Sequence, residues 1–356
     1  MTISVSDPYN LVPELFEAYT EFVKDESAQV DVLLVTSSES WIPSKKPTVL
    51  IDPEPNMHWW QQVFSEQFLA RPNSLFAVSG YYLDRRDETT VVPCTPFWFN
   101  GTLTLQNNPS LDSIYYSVPK PFVANALLGG WSIPRGAMIH RMQQLGLLDS
   151  CIVNYFDRST VSDHDSAERK QTYPEYFFNY RSKILDEIDH DIFKSRAFPV
   201  NDKINTCSPI PNTKPGRQVW ISQLIAEQIY QQTYLSIVAE TESDDSVFFI
   251  SEKIVKPMLV GHPFVVYGCK GYLNELRNLG FKTFDTWIDE SYDLIDDSTA
   301  RASAIIDSVY KFALQPEDKK IQMLIEMQTV LKHNQQLMSD SKWLTKSIAD
   351  WIRSAV

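Results

Sequence analysis

A short segment in the second half of the chain places a hydroxyl, a carboxylate and two ammonium groups at the start of an apolar run. It reads SEKIVKPMLVG, with Ser251 in the position of a helix N-cap and Glu252 in the first turn. Lys253 and Lys256 are three residues apart and therefore share one face of the predicted helix. Because a helix N-terminus presents unpaired N–H groups, this arrangement is suited to bind a diphosphate, and Glu252 could accept hydrogen bonds from ribose hydroxyls.

A simpler interpretation of the same segment is a surface helix whose charges are solvated. Pro257 lies inside the predicted helix and is expected to bend or loosen it. Periodicity alone favours the solvated helix, so the binding hypothesis needs support from the surrounding sequence.

The wider segment VAETESDDSVFFISEKIVKPMLVGHPFVVYG supplies that support. It contains a strand that ends at Glu240, a short loop, the triplet Ser251–Lys253 before a helix, and a second strand that ends at Tyr267-Gly268. This order resembles the donor-site motif of the α-1,3-fucosyltransferase family, which reads Phe-Glu-Asn, Thr-Glu-Lys and Trp-Gly at these places. Ala239 and Thr241, which flank Glu240, depart from the family pattern. The resemblance implies a nucleotide-diphosphate sugar as donor and a GT-B fold, in which two Rossmann-like α/β domains face a central cleft.

Two other stretches extend the resemblance. In LLGGWSIPRGAMIHRMQQLGLLD, Arg135 falls where an arginine of the family opens a helix and contacts the donor diphosphate. In TVLIDPEPN, Glu54 falls where a glutamate after a strand serves the family as catalytic base, with Asp52 as a near neighbour. Arg135 is physically suited to this role, because a guanidinium at a helix N-terminus offers bidentate donors beside free N–H groups; the alternative is an ordinary surface arginine. Without the family, Asp52 and Glu54 are more often loop-capping residues than catalytic ones.

The elements that must position these residues follow from the apolar patterning. A strand near 123–128, a helix RGAMIHRMQQLG and a strand SCIVNYF predict a βαβ unit with a parallel sheet. Beyond it, the sequence predicts a helix over 218–232, strands TYLSIVAE and PFVVYG, a strand or turn VFFI, the helix of the SEK segment and three C-terminal helices. Before it, short strands begin near residues 31, 48, 75 and 90.

This pattern predicts an α/β protein of two domains. We expect an acceptor-side domain over 1–120, a donor domain over 121–335 and a C-terminal helix over 336–356 that could cross between them. Residues 157–215 carry no clear pattern.

Composition limits the classes of partner. The formal net charge is −13, and the first 120 residues carry 15 acidic against 7 basic side chains. Binding to nucleic acid depends mainly on basic side chains, so the charge disfavours it without excluding a local basic cleft. The sequence shows no signal peptide and no membrane-length apolar run, and its four dispersed cysteines favour reduced thiols, so we expect a cytoplasmic protein.

Together these observations predict a glycosyltransferase that moves a sugar from a nucleotide sugar to an acceptor hydroxyl. By resemblance the reaction inverts the anomeric centre and needs neither a bound metal nor a cofactor. An Asp-X-Asp triplet at 163–165 is a chance match, and the six histidines lack metal-ligand spacing. The acceptor could be a glycan, a small molecule or, as in some phage enzymes, a hydroxymethylated DNA base. A non-catalytic GT-B module that binds a nucleotide sugar also remains open.

Overall fold

The computed structural model describes the second half of the chain most completely. Backbone and nearly all side chains are described for residues 115–130, 132–156, 172, 174–176, 180–185, 225–240 and 245–339. Elsewhere the described residues are the backbones of short strands at 4–6, 31–35, 48–52, 74–78, 80–82, 91–93, 197–199 and 218–220.

Contacts divide the chain into two compact units. Unit 1 comprises Met1–Leu103, Ser246–Ser251 and Ser339–Val356, and unit 2 comprises Thr104–Asp245 and Glu252–Met338. The sequence predicts segments over 1–120, 121–335 and 336–356, and the contacts divide the chain after Leu103 and group residues 246–251 and 339–356 with the N-terminal unit. Residues 340–356, which hold most of the predicted C-terminal helix, lie outside the described residues.

Unit 1 contains a five-stranded sheet in which every neighbouring pair is parallel. The strands predicted near residues 31, 48, 75 and 90 are confirmed as members of this sheet. In spatial order its strands are β1 (Ser4–Ser6), β2 (Asp31–Val35), β3 (Thr48–Asp52), β4 (Ser74–Val78) and β6 (Val91–Pro93). A separate antiparallel pair joins β5 (Gly80–Tyr82) to β13 (Val247–Phe249).

Unit 2 is built on a mixed five-stranded sheet. Its order is β14 (Phe264–Tyr267), β12 (Thr233–Ala239), β7 (Phe122–Gly130), β8 (Cys151–Phe156) and β9 (Tyr180–Arg181). The first four strands are mutually parallel, and β9 runs antiparallel to β8 at the edge. Helix α1 (Ile133–Gln144) connects β7 to β8. The predicted βαβ unit is therefore confirmed, and unit 2 has an α/β fold.

The remaining elements correct one prediction. The helix predicted over 218–232 is wrong in its first part, because β11 (Gln218–Trp220) pairs antiparallel with β10 (Ala197–Pro199). That pairing satisfies the backbone groups of 218–220, and tertiary context overrides helical periodicity.

The described helices beyond it are α2 (Glu227–Gln231), α3 (Glu252–Val260), α4 (Tyr272–Asn278), α5 (Ser298–Ala313) and α6 (Glu317–Ser339). Among the described helices, none has the length and apolar character required to span a bilayer.

The connections of unit 2 reverse direction at β7. From β7 the chain moves through α1 to β8 on one side, and later it returns to β12 on the other side and continues to β14. All seven residues of β12 are buried, as expected of a central parallel strand covered on both faces. In open α/β sheets, ligands bind outside the carboxyl ends of strands where the order reverses. The C-terminal ends of β7 and β12 are therefore the place to search for a site.

A buried polar network connects β7 to the N-terminal half of β12 and to the residues just before β14. The Asn125 amide on β7 donates to Thr233 Oγ1 at 3.0 Å and to Ser236 Oγ at 3.1 Å, both on β12. The imidazole of His262, which is fully buried, lies between the same residues: Nδ1 is 2.9 Å from Ser236 Oγ and Nε2 is 3.0 Å from the Thr233 carbonyl. A neutral ring with its proton on Nε2 satisfies both contacts, since Nδ1 then accepts from the Ser236 hydroxyl.

We predict that His262→Gln reduces the acid sensitivity of the fold. Burial lowers the pKa of His262 to about 4 from its usual 6.5, so between these pH values the unfolded chain binds a proton that the folded protein does not. As the pH falls through this window, the unfolding free energy of the unmodified protein should drop by up to about 3 kcal/mol more than that of the variant.

Denaturant unfolding at several pH values measures this difference, because the other titrating groups are common to both proteins. His333→Gln, at a half-buried position of α6, is the matched control and should keep the slope of the unmodified protein. Equal slopes in all three proteins would contradict a neutral, buried His262.

Candidate functional site

A side-chain cap fixes the first turn of α1. Ser132 has extended backbone angles (φ −153°, ψ 160°), and its hydroxyl accepts a hydrogen bond from the Arg135 N–H at 3.4 Å. Pro134 has no N–H, and the Gly136 N–H donates to the Ser132 carbonyl at 2.8 Å. The sequence predicts Arg135 beside open backbone donors, whereas its own N–H is engaged by the cap. What α1 brings to the sheet edge is mainly the Arg135 side chain.

The Arg135 guanidinium reaches from α1 to the neighbouring strand. Its Nη2 donates to the carbonyl of Ala239 at 3.0 Å and to that of Glu240 at 3.3 Å. These carbonyls belong to the C-terminal end of β12, so Arg135 spans the point where the strand order reverses. Only 9% of Arg135 is exposed. Burial lowers its pKa, while the nearby carboxylates of Glu240 and Glu252 act in the opposite direction and favour the charged form.

Glu240 is held by the strand on its other side. Its N–H donates to the Tyr267 carbonyl at 2.9 Å, which continues the pairing of β12 with β14. The Tyr272 hydroxyl donates to Glu240 Oε1 at 3.4 Å. Burial and the Glu240 carboxylate both raise the pKa of Tyr272, so its hydroxyl stays protonated and can donate. Glu240 is only 2% exposed, and its carboxylate is an internal acceptor beside Arg135.

Gly268 makes the Tyr272 position possible. A Cβ atom built on Gly268 would lie 2.3 Å from Tyr272 Cδ2 and 2.8 Å from Cε2, which is closer than any real contact. The absence of a side chain at 268 thus lets the Tyr272 ring pack against the end of β14 with its hydroxyl toward Glu240. A glycine is therefore needed at position 268 for a steric reason, and the sequence alone does not reveal it.

The first turn and a half of α3 supplies the remaining charges. Glu252 is half-buried, and its Oε1 lies 3.1 Å from Lys253 Nζ. Burial would raise the pKa of Glu252, but Lys253, Lys256 and a hydrogen bond from its own backbone N–H hold it below its usual value. Burial lowers the pKa of Lys256 to about 8, although Glu252 opposes the shift. Pro257 lies within α3, which continues to Val260.

These contacts bring five of the predicted site residues into one electrostatic cluster at the C-terminal edge of the unit 2 sheet. Three cations face two carboxylates, which gives the cluster a local positive balance in a chain of formal charge −13. The start of α3 adds the positive end of its dipole. The members of this cluster, called the sheet-edge cluster below, are Arg135, Glu240, Glu252, Lys253 and Lys256.

Ser251 and Glu54 complete the list of predicted site residues. Ser251 is buried and precedes α3 directly, and by its contacts it is grouped with unit 1. Glu54 follows β3 but lies outside the described residues, so its role as base stays a prediction. The described part of the chain contains no group of three or more His, Cys, Asp or Glu side chains that could hold a metal ion, and the triplet 163–165 lies outside it.

The sequence did not predict one ion pair near the cluster, between a buried arginine and an exposed aspartate. Arg301, in the first turns of α5, is 1% exposed and donates to the Asp245 carboxylate and to the Ile295 carbonyl. Asp245 also accepts from the Lys270 N–H at 2.7 Å, so it links the chain after β12 to the chain after β14. A cation near a helix N-terminus opposes the dipole, and this unusual placement is the signal that could have revealed the pair.

Comparison with known proteins adds no relative to this picture. No family model matches the sequence, and a search of curated proteins finds no match.

We predict that Arg135→Met destabilises the protein strongly. The change leaves two buried carbonyls without this donor and removes the cation beside Glu240, so we expect a loss of about 2–4 kcal/mol in unfolding free energy. Arg141→Met is the matched control on the same helix, because Arg141 forms only a partly exposed pair with Asp307 at 2.8 Å. The control should lose less than about 1 kcal/mol in denaturant unfolding. Equal losses of unfolding free energy in the two variants would show that the hydrogen bonds from Arg135 to β12 contribute little to stability.

Proposed function

We propose that this protein is a glycosyltransferase that binds a nucleotide-diphosphate sugar and transfers the sugar to a hydroxyl group. The observation that carries the proposal is the sheet-edge cluster, which collects cations from α1 and α3 at the carboxyl end of β12. Charge-assisted contacts of this kind favour phosphate groups. Both contributing segments also resemble donor-binding motifs of a single family, the α-1,3-fucosyltransferases.

The proposed arrangement is GT-B, with unit 2 as the donor-binding half. Each unit contains a sheet with parallel pairing, which is compatible with two Rossmann-like domains. In this proposal the diphosphate lies at the start of α3, where Lys253 and Lys256 provide positive charge, and Glu252 accepts from the ribose hydroxyls. Arg135 adds its charge to the site and fixes the end of β12 against which the nucleotide lies.

Transfer would follow a single displacement at the anomeric carbon. Glu54 takes the proton of the acceptor hydroxyl while the acceptor oxygen forms a bond to the anomeric carbon. The bond from that carbon to the diphosphate oxygen breaks, and its electron pair leaves with the nucleoside diphosphate. Fixed cations that meet this developing charge lower the barrier independently of the base. Inversion and independence of a metal are carried over from the family.

A glycan or small-molecule acceptor agrees best with the charge of the chain. The first 120 residues, which hold the proposed base, carry 15 acidic against 7 basic side chains. An acceptor base in duplex DNA would need a basic groove for the phosphates and a flipped nucleotide. DNA containing hydroxymethylated bases is therefore tested as an acceptor beside glycans, and retention on DNA that falls with salt would favour it.

Binding of the donor is tested first with Lys253→Met. Isothermal titration with UDP-, GDP-, ADP- and CMP-sugars should find one class that binds the unmodified protein. Loss of one charge-assisted contact to the diphosphate should weaken that class roughly 10–100-fold. Lys332→Met removes an equal charge from an exposed position of α6 and should leave the affinity unchanged. If both variants bind as the unmodified protein does, the diphosphate does not lie at α3.

Catalysis is tested with Glu54→Gln once a donor and an acceptor are known. The substitution keeps size and polarity but removes the base, so transfer should fall by roughly 10²–10⁴-fold with donor affinity retained. Asp52→Asn is the matched control and should keep most of the activity. Turnover by Glu54→Gln at the normal rate would remove Glu54 from the mechanism. Donor binding without transfer or donor hydrolysis in the unmodified protein would favour the non-catalytic binding module.

A further inference from the structure

The start of α3 holds an anion of its own. The carboxylate of Glu252 accepts from Lys253 Nζ at 3.1 Å. Lys256 lies four residues further along the helix, which places it on the same face as Glu252. An intrinsic carboxylate thus occupies a cation that an incoming phosphate would use.

The charge state of Glu252 keeps this contact in place at neutral pH. Lys253 and Lys256 hold the pKa of Glu252 below its usual value, so the side chain is ionised and remains paired. A phosphate that binds at Lys253 competes with Glu252 for this ammonium group, and it brings its own charge close to that of Glu252. Two anions at one helix start repel each other unless the displaced carboxylate finds new donors.

Ligands differ in whether they supply those donors. A nucleoside diphosphate carries ribose hydroxyls next to its phosphates, and these can donate to the displaced carboxylate. Inorganic phosphate and pyrophosphate have no such groups and leave Glu252 without a replacement. Specificity of this kind rests on a contact that penalises the wrong ligand as much as on contacts that favour the right one.

We propose that Glu252 is a specificity-determining residue that selects nucleoside diphosphates against inorganic phosphates by pairing with Lys253, a cation that a phosphate bound at α3 would use. The inference rests on the proposed nucleotide-sugar site and adds a discriminating role to the ribose contact. This role explains why Glu252, an anionic side chain, lies beside Lys253 and Lys256 in a site that is proposed to bind a diphosphate.

The test compares inorganic pyrophosphate with UDP, GDP and ADP by isothermal titration against the unmodified protein, Glu252→Gln and Glu252→Ala. Both substitutions remove the resident negative charge, so pyrophosphate should bind at least about 10-fold more tightly to each variant. The nucleoside diphosphate that binds the unmodified protein should bind the variants equally or more weakly, because its ribose loses an acceptor. Thermal unfolding checks that each variant is folded.

The control is Glu326→Gln, which makes the same change of charge at an exposed position of α6 and should leave both affinities unchanged. The inference is overturned if pyrophosphate binds Glu252→Gln and Glu252→Ala no more tightly than the unmodified protein, or binds none of them at millimolar concentration. Binding of UDP, GDP or ADP to the unmodified protein in that case would leave the proposed function intact. If pyrophosphate tightens but no nucleoside diphosphate binds any form, both the selection and the nucleotide-sugar function are wrong.

Discussion

The geometry of the candidate site depends on the hydrogen bonds from Arg135 to the two carbonyls at the end of β12. They connect the first turn of α1 to a strand that the chain reaches only about a hundred residues later. Glu240, at the end of that strand, is tied in turn to the carbonyl of Tyr267 on β14. One buried guanidinium therefore connects α1 to the end of β12, and β12 pairs in turn with β14 at the place where the candidate site lies.

Burying this cation is favourable only because hydrogen-bond acceptors and opposite charges surround it. A charge removed from water needs hydrogen-bond partners and an opposite charge, and Arg135 has both in the β12 carbonyls and the carboxylates of Glu240 and Glu252. The half-buried lysines of α3 then leave a local excess of positive charge. The net charge of −13 therefore does not decide what the site binds, since the field of a partly buried cluster is set by its own members.

Sequence reasoning reached the parts of this structure that are local or strongly patterned. The βαβ unit was predictable because β7, α1 and β8 are contiguous and each carries its own periodicity. The gathering of Arg135 and the α3 charges was predicted only through resemblance to a family, because no local pattern relates residue 135 to residue 252. Gly268 and Arg301 could not be interpreted in advance, since their roles depend on a packed tyrosine ring and a distant aspartate. The strand at 218–220 was missed because its partner lies about twenty residues earlier in a stretch without clear periodicity.

The most direct measurement of the central claim is amide hydrogen exchange of the protein with and without a saturating nucleotide sugar. A nucleotide bound at the sheet-edge cluster stabilises the backbone it contacts and slows local opening there. The account predicts increased protection in peptides that cover the end of β12 and the first turns of α1 and α3, with little change in α6. Protection confined to α5 and α6, or the same exchange with and without every nucleotide sugar tested, would contradict it.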